Sequence, residues 1–256
     1  MEKLVVNVIS VGHGDAIFIE FPNNKCMLVD GGLPSEGGTV VNYIRKLGYS
    51  SIDYLVTTHT HRDHLGGMLA VLDDFKVGEI WMSAYNEESP LFTDFMSNIE
   101  KAKLPVKQVC RGDAIAIGDV SATILNPPSG SSLEQLGGSN NASIVIRFEY
   151  GTTSMLLAAD IENNIDRELA KLYGNRLKST VLKCAHHGSE ISSSQEFLTA
   201  VNPQIAIIST GADEYGYPSE KTLARIEKLV PKTYRTDLNG TIVVISDGEN
   251  VTATTR

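Results

Sequence analysis

Short apolar runs alternate with amphipathic stretches along most of the 256-residue chain. Near the start, "LVVNVISV", "AIFIEF" and "CMLVDGG" are apolar runs broken by turn residues, and they predict three successive strands. Later runs predict strands at "DYLVTTH", "EIWMS", "VKQVC", "SATILNP", "ASIVIRFEYG", "TTSMLLAAD", "STVLKCAHHG", "QIAIIST", "KTYRTDLNG", "TIVVIS" and "VTATT". Strands separated by helices indicate the α/β class.

The amphipathic stretches predict helices at "TVVNYIRKLG", "LGGMLAVLDDF", "SPLFTDFMSNIEKA", "IDRELAKLYG", "SSQEFLTAV" and "SEKTLARIEKL". The third begins with a Ser cap and Pro at its first helical position. "ASIVIRFEYG" and "TTSMLLAAD" predict a hairpin, and Asn239-Gly240 before "TIVVIS" is a second hairpin signal.

Residues 127–141, "PPSGSSLEQLGGSNN", are rich in Pro, Gly, Ser and Asn and predict a long loop. The loop separates two halves, about 1–126 and 140–256, which show the same alternation of strands and helices. We interpret 1–256 as a single domain in which two packed sheets carry helices on their outer faces.

Composition excludes some functions and leaves others open. The net charge of −9 argues against tight non-specific binding to nucleic acid, although metal ions or a local basic groove would still bind phosphates. No apolar run approaches the ~20 residues that span a bilayer, and the first residues predict a strand instead of a signal peptide. The three separated cysteines indicate reduced thiols, and we expect a cytoplasmic protein without membrane contact.

Five of the six histidines occur in two clusters, and the sixth, His13, lies in "SVGHGDA". His59, His61 and His64 lie in "THTHRDH", which follows a predicted strand. In an extended segment, residues two apart point the same way, so His59 and His61 can bind one metal ion. Asp63 and His64 follow in a turn and point toward a second ion. Imidazole and carboxylate ligands without thiolate suit zinc, with manganese or iron as alternatives.

Two aspartates follow apolar strands directly. Asp160 ends "SMLLAAD", where a buried carboxylate is costly unless it is paired or binds a metal. We predict that Asp160 bridges the two ions, the alternative being a helix cap. Asp30 ends "CMLVD", and we expect it to orient a ligand histidine.

The pair His186-His187 ends another predicted strand. One of the two can bind the second metal, and the other can contact substrate or protonate the leaving group. Spacing does not distinguish them; we choose His186 as the ligand and His187 as the catalytic group, together with Asp63. Asn140 and Asn141 are either ligands or substrate contacts, or turn residues.

These motifs resemble the metallo-β-lactamase superfamily, whose HxHxDH signature is matched by "THTHRDH". The chain is similar in particular to the metallo-hydrolase domain of ComEC-like competence proteins. "SVGHGDAIFIEF…CMLVDGG", "NNASIVIRFEYGTTSMLLAADI", "LKCAHHGSEISSS" and "YRTDLNGTI" resemble that group's VGQGDA…IDGG opening, NNxSLVL…LLxGDI hairpin, PHHGS segment and closing hairpin.

The resemblance implies a four-layer αββα sandwich with two divalent metal ions between the sheets at one edge. It implies ligands at His59, His61, Asp63, His64, Asp160 and a His of the pair. Most of the superfamily has a further histidine before the hairpin, where this chain has Asn140 and Asn141. His13 stands where the group has Gln, and Tyr217 where a His is common. The residues expected to support the ligands or contact substrate are Asp30, Asp15, His13, Asn140, Asn141, Ser189 and Tyr217.

The expected function is metal-assisted hydrolysis, in which two ions acidify a water molecule. The resemblance favours phosphodiesters, with a nucleotide or nucleic acid as substrate. Arg62, Lys183 and Ser189 are the nearest candidates for phosphate contacts, and the favoured alternative for each is an ordinary surface or structural role. Two alternatives are hydrolysis of a lactone, thioester or lactam at the same site, and a non-catalytic, metal-stabilised binding domain. The sequence identifies no protein partner.

Overall fold

The computed structural model describes residues 3–211 and 216–256. Fifteen strands occur within these ranges. They are β1 Leu4–Val8, β2 Ile17–Glu20, β3 Cys26–Val29, β4 Ser51–Thr57, β5 Lys76–Ser83, β6 Val106–Val109, β7 Ala114–Ile117, β8 Val120–Asn126, β9 Val145–Tyr150, β10 Thr153–Leu157, β11 Val181–Lys183, β12 Ile205–Ile208, β13 Lys232–Arg235, β14 Ile242–Ser246 and β15 Val251–Thr255.

Nine α-helical segments connect the strands in the same described ranges. They are α1 Gly37–Lys46, α2 Arg62–Leu65, α3 Met68–Asp74, α4 Pro90–Ala102, α5 Leu133–Leu136, α6 Asn163–Tyr173, α7 Gln195–Val201, α8 Glu220–Leu229 and α9 Thr236–Asn239. Helix α4 begins as its sequence predicts, because the Ser89 hydroxyl accepts a hydrogen bond from the Phe92 amide and Pro90 occupies the first turn.

The strands form two mixed sheets. The first has the order β15-β14-β1-β2-β3-β4-β5-β6, and the second β13-β12-β11-β10-β9-β8-β7. Strands β3 to β6 run parallel to one another, as do β10 to β13, and the remaining neighbours are antiparallel. Each sheet therefore has one block of parallel strands, and the carboxyl ends of such a block form an edge where sites are commonly built.

Three apolar clusters define four layers. One lies between the sheets and includes Val8, Trp81 and Phe148. A second packs the first sheet against α1, α3 and α4, and a third packs the second sheet against α6, α7 and α8. The amphipathic stretches form the outer helices because each can bury only one apolar face. The predicted αββα sandwich, the metallo-β-lactamase fold, is confirmed.

The predicted hairpin of β9 and β10 is confirmed, with Thr153 opposite Tyr150. The predicted Asn-Gly hairpin is wrong, because Asn239 ends the short helix α9 and the flanking strands β13 and β14 belong to different sheets. Strand β7 and the single helical turn α5 were not predicted; α5 lies inside the predicted loop 127–141. Although β7 and β8 precede that loop, both belong to the second sheet.

Within the described ranges, no helix combines the length and the apolar character required to cross a membrane.

Candidate metal centre

Most of the clustered histidines and aspartates follow the carboxyl ends of parallel strands. Asp30 follows β3, and His59 follows β4 in the first sheet. Asp160 follows β10, and His187 follows β11 in the second. The parallel blocks thus bring side chains from four separate parts of the chain to one edge between the sheets, as sites in such sheets are commonly assembled.

Asp160 is the centre of this arrangement. Its Oδ2 atom lies 3.3 Å from Nε2 of His64, 3.4 Å from Nε2 of His187, 3.9 Å from Nε2 of His186 and 4.0 Å from Nε2 of His59. The carboxylate is buried, and its Oδ1 atom has no hydrogen-bond partner among the described residues. A buried carboxylate facing four imidazoles is placed as a bridging ligand would be.

Asp63 joins the same cluster from the start of α2. Its Oδ2 atom lies 3.3 Å from Nε2 of His187 and 3.5 Å from Nε2 of His64. One ligand atom from each of Asp63, His64, Asp160 and His187 lies within 4.8 Å of the others. Four nitrogen and oxygen donors at this spacing can hold one divalent cation.

The hydrogen bonds of three buried histidines engage Nδ1 and leave Nε2 facing the cluster, where it can bind a metal once deprotonated. Nδ1 of His64 lies 2.8 Å from Asp30, Nδ1 of His187 lies 3.0 Å from the Ser209 carbonyl, and Nδ1 of His59 lies 3.2 Å from the Thr58 hydroxyl. The Nε2 atom of His59 is buried and has no hydrogen-bond partner in the part of the chain that is described. Neutral imidazoles fixed through Nδ1 are the usual form of metal-binding histidine, so these residues fit a metal.

Asp30 connects two of these histidines. It accepts hydrogen bonds from the Thr58 amide at 2.8 Å, from the Thr58 hydroxyl at 2.6 Å and from Nδ1 of His64. Since the Thr58 hydroxyl donates to Asp30, it is an acceptor for Nδ1 of His59. Asp30 therefore orients His64 directly and His59 through Thr58, a residue that the sequence analysis did not identify.

His61 lies on the open side of the centre. Its side chain is 41% exposed, and its ring centroid lies 4.7 Å from that of His59. Nε2 of His61 lies 3.7 Å from the carboxylate of Glu87, an exposed residue that follows β5. The structure thus brings His59 and His61 together as their spacing predicts.

The loop between β1 and β2 closes the opposite side. Asp15 forms a fully buried ion pair with Lys183 of β11, and its Oδ1 atom lies 3.7 Å from Nδ1 of His187. Lys183 therefore lies inside the protein with a carboxylate partner and does not face a phosphate. Gly14 is required here, because a Cβ atom at that position would lie 2.1 Å from the Asp63 carbonyl oxygen and its φ is +109°.

His13, Tyr217 and His186 form the rim on this side. Nε2 of His13 lies 3.2 Å from Oδ2 of Asp63, and its ring centroid is 4.7 Å from that of His187. The Tyr217 ring lies 5.9 Å from His13 and 5.8 Å from His186 between centroids. His13 and Tyr217 therefore both face the site.

His186 and His187 differ in their surroundings. Both have positive φ angles, +48° and +51°, which are uncommon for residues other than glycine and occur often at functional sites. His187 is completely buried, whereas the His186 side chain is 14% exposed and its Nδ1 atom has no partner among the described residues. The geometry favours His187 over the chosen His186 as a ligand.

Asn140 and Asn141 both bind Glu162. The amide groups of Asn140 and Asn141 donate to the Glu162 carboxylate at 3.3 and 3.2 Å, and Oδ1 of Asn141 accepts from the Glu162 amide at 2.9 Å. Glu162 lies two residues after Asp160 and precedes α6. These asparagines connect the end of the 127–141 loop to the segment that follows the central aspartate.

Ser189 and Cys184 flank the histidine pair. Ser189 is buried, and its carbonyl accepts hydrogen bonds from the hydroxyls of Ser192 and Thr222, which stabilise the turn after His187. Burial raises the pKa of the Cys184 thiol to about 12, so this cysteine stays protonated.

Proton equilibria in the metal-free cluster are strongly shifted. Burial alone would lower the pKa of His187, but the carboxylates of Asp160, Asp63 and Asp15 outweigh it and raise this pKa to about 9. For His64, burial again lowers the pKa, but nearby carboxylates, chiefly Asp160, outweigh it and raise the pKa above its ordinary value. For Asp160, burial is outweighed by His187 and His64, which lower its pKa.

An αββα sandwich with this cluster between its sheets defines a di-metal hydrolase fold. Residues 9–212 match the Metallo-beta-lactamase superfamily, and the chain belongs to that superfamily of metal-dependent hydrolases.

Curated relatives are longer proteins. The chain is 28% identical over 255 residues to ComE operon protein 3 of Bacillus subtilis (strain 168), and 29% identical over 241 residues to Competence protein ComA of Neisseria gonorrhoeae. These alignments cover 93% and 94% of this chain, but 32% of each relative. The chain therefore spans about a third of the length of these competence proteins, and the predicted ComEC-like resemblance is confirmed.

Solved structures show the same fold at low identity. The metallo-beta-lactamase fold protein YhfI from Bacillus subtilis has a TM-score of 0.61 at 12% identity and covers 96% of this chain and 100% of its own. CmlA, a diiron beta-hydroxylase from Streptomyces venezuelae, has a TM-score of 0.59 at 14% identity and covers 100% of this chain and 55% of its own. At these identities the likeness concerns the fold alone.

Proposed function

We propose that the chain is a metal-dependent phosphodiesterase with two divalent cations. The observation that carries this proposal is the convergence of four histidine Nε2 atoms on the buried Asp160 carboxylate. Buried ionisable groups are costly inside a protein unless they are paired or bind a metal, and cations between these donor atoms would replace the protons that the histidines otherwise hold.

The two ions take different ligands in this proposal. His59, His61 and Asp160 hold the first, and Asp63, His64, Asp160 and His187 hold the second. His186 then contacts substrate, because it lies at the partly exposed rim beside Tyr217. In this proposal His187 is the metal ligand and His186 contacts substrate, which is the reverse of the choice made from the sequence.

When bound, two divalent cations acidify a water molecule and neutralise charge on the phosphoryl oxygens. The chain's own residues provide the orientation. Asp30 fixes the ring of His64 directly and that of His59 through Thr58. His186 lies at the rim beside Tyr217, where it can contact the substrate. His13 faces the same opening through its contact with Asp63.

Two features support a phosphodiester substrate. The relatives are competence proteins, and the group that the motifs resemble is associated with nuclease or phosphodiesterase activity. Arg62 is exposed at the start of α2, beside His61 and Asp63, where a guanidinium can contact a phosphate. A nucleotide or nucleic acid is the proposed substrate, with zinc as the proposed metal because all donors are imidazole or carboxylate; manganese and iron fit the same donors.

The test compares substrate classes at one site. Metal-stripped protein is titrated with Zn²⁺ or Mn²⁺ and assayed with bis(p-nitrophenyl) phosphate, a thioester, a lactone and a chromogenic β-lactam. Metal-dependent turnover confined to the phosphodiester supports the proposal. Turnover confined to the carboxyl substrates replaces it with the alternative hydrolase, and stoichiometric metal binding without any turnover favours a binding domain.

A further inference from the structure

A groove of about 420 Å³ adjoins the candidate metal centre on the His61 side. We call it the His61 groove, and its lining includes Pro34, His61, Arg62, Glu87, Pro90 and Leu91. Because His61 lines the groove and also contacts His59, a substrate bound at the centre can extend into the groove without a break. The volume lies in the usual range for small-molecule sites.

The walls of the His61 groove are apolar and fixed in place. Pro34 lies in the turn before α1, and Pro90 and Leu91 form the first turn of α4. Leu91 packs on the apolar cluster beneath α1, α3 and α4, so its position is set by the core. Two proline rings and an anchored leucine present surfaces on which a planar ring can pack.

The charges that line the groove disfavour a negative group there in addition to the phosphate at the metal centre. Arg62 is the cationic group, and it lies in the segment that joins His61 to Asp63. Glu87 is the acidic group, with its carboxylate 3.7 Å from Nε2 of His61. A phosphate at the centre is attracted by Arg62, but a further negative group inside the groove is repelled by Glu87.

We propose that the His61 groove binds a neutral, planar ring carried by one ester group of the phosphodiester substrate. This inference rests on the proposed function, and it defines the substrate as a diester with an aromatic or nucleobase-like group next to the scissile phosphate. The ring packs against Pro34, Pro90 and Leu91 while the phosphate lies at the metal centre.

A binding experiment tests the groove separately from turnover, with hydrolysis of the ligand checked after each titration. Metal-loaded protein is titrated calorimetrically with phenyl methylphosphonate and with methyl methylphosphonate, which share one charge and differ in the ring. We expect the phenyl ester to bind about tenfold more tightly, since a ring of this size buries enough apolar surface for such a factor. Equal affinities would overturn the proposal.

Matched variants locate the ring. Two single variants are expected to reduce the affinity preference for the phenyl ester to less than threefold. They are Leu91→Asn and Pro90→Ser, the latter at the exposed first residue of α4. Leu172→Asn is the control, because Leu172 is an exposed leucine on α6 outside the groove, and it should keep the full preference. A preference that survives both groove variants would contradict the assignment.

A charged ring tests the role of Glu87. The 4-carboxyphenyl ester should lose the preference in the wild-type protein and regain most of it in Glu87→Gln. Turnover of phenyl and methyl 4-nitrophenyl phosphate is measured alongside. If binding depends on the ring but no turnover is found, the phosphodiesterase function is rejected and the ring-binding role of the groove is supported. If turnover is found but affinity does not depend on the ring, only the ring-binding role of the groove is rejected.

Discussion

Lys183 and Asp15 form a buried ion pair that joins the two sheets beside His187. Lys183 belongs to β11 of the second sheet, and Asp15 follows β1 of the first. The Asp15 amide also donates to the Asp63 carbonyl at 3.3 Å, so one residue contacts both sides of the cluster. The pair therefore sets the spacing between Asp63 and His187.

Lys183→Met should destabilise the protein by about 3–5 kcal/mol, because it leaves the Asp15 carboxylate buried without a partner. The double variant Asp15→Asn with Lys183→Met should recover much of this loss. Urea unfolding of the metal-free proteins measures both. Additive effects of the two single changes would contradict the coupling.

Asp30→Asn should lower affinity for the second metal by about 10–100-fold, since an amide cannot accept from Thr58 and His64 as the carboxylate does. Competition with a chromogenic chelator gives this affinity. The matched control is Asp166→Asn on α6, where the carboxylate accepts from the amide and hydroxyl of Ser194 at 2.8 and 2.6 Å. The control should lose stability and retain its metal affinity.

Metal binding should release protons near neutral pH. The pKa of His187 is raised to about 9 in the metal-free protein, so the proton stabilises the folded state below the ordinary value of 6.5 and this contribution disappears as pH rises through 9. A cation must displace that proton, and its apparent affinity should therefore rise with pH up to about 9. Calorimetry in buffers of different ionisation enthalpy counts the protons; a heat independent of the buffer would contradict this account.

Asn141→Ala should cost about 1–3 kcal/mol of unfolding free energy, because it removes the part-buried hydrogen bonds of Asn141 to the carboxylate and the backbone amide of Glu162. It should leave metal stoichiometry unchanged at two. Elemental analysis of the purified variant together with its thermal unfolding gives both quantities. Loss of one equivalent of metal would show that Asn141 is a ligand instead.

The sequence predicted most strands, the six longer helices and the layers because each amphipathic segment has only one apolar face to bury. The short helices α2, α5 and α9 were not predicted, since four residues are too few to show a helical period. It did not predict the partners of β13 and β14, since an Asn-Gly pair indicates a turn but not which sheet follows. Spacing also did not distinguish His186 from His187, and the choice of His186 as the ligand is not the one that the geometry favours. Their positive φ angles remove the strand alternation on which a spacing argument depends.

Lys183 shows how tertiary contacts change a residue's role. Its charge inside an apolar strand was visible in "TVLKCA", but its partner Asp15 lies 168 residues earlier in the chain. Glu162 was missed for a related reason. Its role depends on two asparagines from the preceding loop, which local propensity does not reveal.

The most direct measurement of the central claim counts metal ions and turnover together in wild-type protein and Asp160→Asn. Because Asp160 faces all four histidines, the account predicts two equivalents of metal in the wild type, with bis(p-nitrophenyl) phosphate turnover rising as the second binds. It predicts fewer than two equivalents and a loss of at least about 100-fold in kcat for Asp160→Asn. Full metal loading and undiminished turnover in Asp160→Asn would contradict it.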